Sequence, residues 1–142
     1  MVRQKLREGF NMAWIPPRID WSSQDYYNFE DLNRVESNTE YLAELLKLLE
    51  YNIDLVIEKN RDITRIEFAE NLNRIENNIE KLKVFIPIGW EETKTNWKYN
   101  DPFDYRDANR LESNLFHLYL YAKGNIDNFR YCGMYTCGDD LI

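Results

Sequence analysis

One six-residue phrase occurs three times in this chain: NRVESN at 33–38, NRIENN at 73–78 and NRLESN at 109–114. A catalytic motif is needed once, so a phrase used three times points to a structural unit that packs against its own copies. The likeness between the first and third copies is longer than six letters. Residues 21–42, WSSQDYYNFEDLNRVESNTEYL, align without gaps to residues 97–118, WKYNDPFDYRDANRLESNLFHL. Trp21 matches Trp97, Asp25 matches Asp101, Tyr27 matches Phe103, Phe29 matches Tyr105 and Asp31 matches Asp107. The second copy, IEFAENLNRIENNIEKL at 66–82, keeps the helical part without the Trp-Asp lead. The chain therefore reads as two complete repeats and one truncated repeat.

Each copy predicts a loop followed by a helix. Phe29, Leu32, Val35, Leu42, Leu45 and Leu49 recur at helical spacing, as do Phe68, Leu72, Ile75, Ile79 and Leu82. Tyr105, Ala108, Leu111, Leu115 and Leu118 repeat the pattern, so each helix has one apolar face. Asp25 or Asn28 is expected to cap the first helix, and Thr64 with Glu67 to form a capping box for the second. Asp101 with Pro102 is expected to start the third. The first helix is expected to run to about Lys59 or to break near Tyr51-Asn52, with Ile53, Val56 and Ile57 keeping the helical period. The second should end near Val84, and the third near Lys123, with Gly124 as its stop. The expected fold class is all-α, a small bundle of three loop-helix repeats (about 21–59, 63–84 and 97–123) within a domain at 21–124. Residues 1–20 read as an extended arm, since Pro16-Pro17 favours extended backbone there. Residues 125–142 read as a Cys-Gly tail, either a hairpin or irregular.

Composition narrows the function classes. The 142 residues are 44% hydrophobic and 15% aromatic, enough to bury a core in one domain. The net charge of −7 disfavours nucleic acid and anionic membrane as partners and fits either acidic solubility or a basic protein partner. No secretory signal and no membrane-inserting stretch are expected.

The helical wheel places Leu32 and Val35 toward the core, with Glu36 and Asn38 on opposite borders of that face. Glu36, Glu76 and Glu112 are expected to pair with Arg34, Arg74 and Arg110 across helices. Asn33, Asn38, Asn73, Asn78, Asn109 and Asn114 would bond loop backbone. Trp21 and Trp97 would pack over the helix starts, with an arginine on the ring face. A catalytic or metal cluster is the rival. The di-iron bundle pattern, however, needs Glu-x-x-His on two helices, and the one histidine, His117, follows Asn114 by three residues. His117 stands beside an apolar face with no partner constellation for acid–base work, so no catalytic residue and no cofactor are assigned. Cys132 and Cys137 read as two free thiols in a turn, half a zinc site or a small disulfide being the alternatives.

The frame from Trp21 to Leu118, with its Asn-Arg-[Val/Ile/Leu]-Glu-x-Asn helices, resembles small helical tail and baseplate structural proteins from phage and prophage tail modules of Gram-positive bacteria. The resemblance implies a non-enzymatic virion protein made in the bacterial host cytoplasm. It would act through contacts with other tail or baseplate proteins and through homo-oligomerisation. The alternative is a small acidic phage-encoded inhibitor of a host nucleic-acid-binding enzyme.

Overall fold

A computed structural model describes residues 13–59, 61 and 69–134, with side chains described up to residue 128. Among these residues three helices make up the regular structure: α1 (Phe29–Leu48), α2 (Ala69–Lys81) and α3 (Tyr105–Met134). No strand occurs among the described residues, and the chain is all-α as its periodicity predicts.

Asn28 starts α1. Its side chain accepts the backbone N–H groups of Glu30 and Asp31, and Asp31 accepts the N–H of Asn28, a complete capping box. Asp25 instead accepts the N–H of Ser22 and closes the preceding turn. Asp101 closes the matching turn by accepting the N–H of Lys98, so it does not start α3. That task falls to Asp104, whose carboxylate accepts the N–H of Arg106 one residue inside the helix. The expected box of Thr64 and Glu67 lies outside the described residues.

α1 follows the shorter of its two expected ends, a break just before Tyr51-Asn52, whereas α3 departs from its expected end. α1 stops at Leu48, where Glu50 takes a positive φ of 73° and the N–H of Tyr51 returns to the carbonyl of Leu46. Ile53, Val56 and Ile57 keep helical spacing but lie in non-helical chain, because that segment is held by side chains of α1 and α2. α3 does not stop at Gly124. It runs on to Met134, with Ala122 and Ile126 both buried on either side of the glycine. Gly124 costs roughly 1 kcal/mol as an interior helical residue, and burying the Ile126 side chain contributes about 1.5–3 kcal/mol. Residues 129–134 are thus helical rather than part of a hairpin, and 135–142, with Cys137, lie outside the described residues. α2 ends at Lys81, three residues before Val84.

The core is the meeting of the three apolar faces. Val35, Leu42 and Leu46 of α1 pack with Ile75 and Ile79 of α2 and with Leu111, Leu115 and Leu118 of α3. Three non-helical segments cross between these helices and end at Trp21, Arg61 and Trp97. We call them strap 1 (15–21), strap 2 (56–59 with 61) and strap 3 (91–97). They bring main-chain N–H groups to the helices and so build the site described next.

Candidate functional site

Glu36, Glu76 and Glu112 do not sit on borders of the apolar faces. Each is about 1% exposed or less, within the bundle. A buried carboxylate is tolerated only when its charge and its lone pairs are matched. All three are matched in the same way.

At Glu112, Oε1 accepts the backbone N–H of Arg18 (3.2 Å) and Nε of Arg34 (2.8 Å). Oε2 accepts the indole N–H of Trp21 (2.9 Å) and Nη2 of Arg34 (2.6 Å). At Glu76, Oε1 accepts the N–H of Lys94 (3.1 Å) and Nε of Arg110 (3.4 Å). Its Oε2 accepts the indole N–H of Trp97 (3.1 Å) and Nη2 of Arg110. At Glu36, Oε1 accepts the N–H of Glu58 (3.2 Å) and Nη1 of Arg74 (2.7 Å). Its Oε2 accepts Nη2 of Arg61 (2.5 Å) and Nη2 of Arg74 (2.7 Å). Each of the six oxygens therefore has two donors. One comes from a strap and one from the arginine of another helix.

The order is cyclic. Arg34 of α1 reaches Glu112 of α3, Arg74 of α2 reaches Glu36 of α1, and Arg110 of α3 reaches Glu76 of α2. The bond to Glu112 raises the pKa of Arg34 above its ordinary value. Burial works to lower that of Arg110, and the bonds to Glu76 and Asp107 outweigh it. Two arginines are also steadied from their own helix, Arg34 by Asp31 and Arg110 by Asp107 one turn earlier.

The asparagines bond the straps as the sequence predicts, each taking both main-chain groups of one residue. Asn109 accepts the N–H of Trp21 and donates to its carbonyl; Asn73 does the same to Trp97 and Asn33 to Arg61. The second asparagine of each motif holds the start of a strap: Asn38 holds Ile15, Asn114 holds Glu91 and Asn78 holds Val56. Every strap thus begins on the helix that follows it and ends on another, strap 1 passing from α1 to α3.

The tryptophans do not cover helix starts. Trp21 and Trp97 are buried with their indoles on Glu112 and Glu76, well inside α3 and α2. Cations lie on their faces, though the nearest belong to the straps. Arg18 is 4.3 Å from the Trp21 ring and Lys94 is 3.9 Å from the Trp97 ring, against 6.0 Å for Arg34. Tyr27 and Phe103 bridge the two indoles through ring contacts of 4.8, 5.4 and 5.7 Å. Burial, then the neighbouring Glu112, pushes the Tyr27 hydroxyl well above its ordinary pKa.

Arg61 escaped the sequence reading. It stands twelve residues before Asn73, as Trp21 does before Asn33 and Trp97 before Asn109. The second copy is therefore not truncated at that position: a guanidinium replaces the indole as the buried donor, and Arg61 is 5% exposed. The twelve-residue offset was the available signal.

His117 is placed by packing. Its Nδ1 lies 3.3 Å from the Ser113 hydroxyl, and its ring abuts Gly89. Gly89 has a φ of 91°, and a Cβ there would stand 2.8 Å from the ring. Comparison with protein-family models, curated proteins and solved structures finds no match to this chain.

Proposed function

We propose that this protein is a non-enzymatic structural or adaptor component of a phage tail or baseplate, acting through protein–protein contacts and self-assembly. The observation that carries the non-enzymatic part is the occupancy of the three carboxylates. All six oxygens are engaged by the chain's own donors, so none is free to take a proton from a substrate or to hold a metal. Such sites fix three helices and three straps in one arrangement, which suits a part that is copied into an assembly. Exposed apolar side chains supply contact area: Ile86 and Ile88 after α2, and Leu120 and Tyr121 on α3. The virion assignment rests on the resemblance of the Trp-led Asn-Arg-x-Glu-x-Asn frame.

Mass spectrometry of gradient-purified particles against the soluble lysate tests it. Co-sedimentation at fixed stoichiometry is expected, and the copy number would give the ring to which the protein belongs. Recovery only in the soluble fraction would overturn the reading. It would favour the acidic inhibitor, whose host partner would bind with strong salt dependence.

A further inference from the structure

We propose that the groove between α1 and α3 is a binding site for an extended, polyproline-II-like peptide, and that strap 1 of a second copy of this chain occupies it in exchange for the chain's own strap. The inference goes beyond the virion reading and does not depend on it.

The straps bond the helices in a regular register. In strap 1 the N–H groups that reach the helices are those of Ile15, Arg18 and Trp21. In strap 3 they are those of Glu91, Lys94 and Trp97. The period is three residues, that of polyproline II. Pro16 and Pro17 fall between the engaged positions, where a missing N–H costs nothing and the ring favours the extended form. The ligand class follows. It is a segment with free N–H groups at the first, fourth and seventh positions and a buried indole donor, that of Trp, on the seventh.

The groove reads the strap through its main chain and one indole. Asn38 and Asn109 each bind the N–H and the carbonyl of one residue, and Glu112 takes one further N–H and one indole. Trp14 adds a stacked contact with Tyr119, with ring centroids 4.1 Å apart. None of these bonds depends on which chain supplies the strap.

Strap 1 is linked to α1 through residues 22–28. That connection is folded by the Ser22–Asp25 turn, which two bonds to Asp25 and one to the Ser22 carbonyl hold together. Opening it frees a link of up to roughly 23 Å, at about 3.3 Å per residue. Closed and exchanged forms then share the same contacts, and concentration decides between them.

Two full-length variants test the exchange. Trp21→Ala weakens the strap and leaves the groove intact, while Glu112→Gln weakens the groove and leaves the strap intact. Native mass spectrometry of the mixture is expected to show a 1:1 heterodimer that neither variant forms alone. A gain of helicity on mixing would equally support it if either variant is poorly folded alone. A second measurement uses a fluorescent peptide of residues 13–22 with full-length Ile15→Pro, which loses the N–H bound by Asn38. The peptide should bind at least about tenfold tighter than the same peptide with Arg18→Pro, about 1.4 kcal/mol. Monomers only, together with equal or no binding of the two peptides, would overturn the proposal.

Discussion

Replacing Glu112 by glutamine tests the carboxylate chemistry most directly. The side chain keeps its shape but gains an NH2 where one oxygen stood. Each oxygen accepts two donors, so either orientation sets the new NH2 against two N–H groups. It also leaves the Arg34 guanidinium without its counter-charge at a site about 1% exposed. Breaking a buried pair by removing one partner costs roughly 3–5 kcal/mol. Arg34 is itself 18% exposed and keeps Asp31, which brings the expectation toward the lower end, about 3 kcal/mol. For a chain of this length that is a fall in Tm of roughly 6–12 °C. Lys47→Ala, at a side chain 57% exposed, is the control and should move Tm by no more than roughly 2 °C. Calorimetry of Glu112→Gln, Glu76→Gln and Glu36→Gln should give losses of the same order, largest at Glu36, which faces two guanidiniums. A Glu112→Gln protein melting within about 2 °C of the parent would refute the reasoning.

Four further outcomes are expected. Trp97→Phe keeps the ring and deletes one donor to Glu76, so chemical denaturation should show a loss of about 1–2 kcal/mol. Gly124→Ala should stabilise by roughly 1 kcal/mol, because the helix runs through it and nothing lies within 4 Å of the new methyl group. Gly89→Ala should destabilise by about 1–3 kcal/mol, and removing the His117 ring should restore only part of it, since the positive φ stays strained. Backbone N–H donation from Ser22 to Asp25 and from Lys98 to Asp101, and the Arg106 side chain beside Asp104, hold these carboxyls below their ordinary values. The unfolded chain then binds more protons, so their contribution is complete above about pH 4 and is lost as pH falls through the lowered values. Tm measured between neutral and acid pH should fall in that window, and a fall already complete at about pH 6 would contradict the assignment.

The helix interiors were legible because burial imposes a period: Val35, Leu42, Ile75, Ile79, Leu111 and Leu115 all lie in the core. The pairing of the repeated Arg and Glu across helices was legible because a charge repeated beside an apolar face needs a partner. The cyclic order was not, since side-chain spacing on one helix carries no information about which other helix supplies the partner. Periodicity misled at Ile53, Val56 and Ile57. Extended chain bonded at intervals of two or three residues exposes apolar positions at nearly helical spacing, and the bonds to Glu36 and Asn78 decide for the extended form. Gly124 misled in the opposite sense, because glycine ends a helix only where the apolar face also ends, and Ile126 continues it. Arg61 was missed because residue type, indole against guanidinium, concealed an equivalent donor.

The closure of strap 1 on α3 has a consequence for the order in which the molecule forms. The bonds that Arg18 and Trp21 make to Asn109 and Glu112 join residues 88 to 94 positions apart. During synthesis the first strap is exposed long before its acceptor has been made, and Arg34 waits 78 residues for its carboxylate. Helical bundles ordinarily fold fast because their contacts are local, and rates fall as contacts become distant in sequence. This one should refold more slowly than its helix content suggests, with α1 and α2 able to dock early through Arg74 and Glu36 and the last step being the arrival of the first strap.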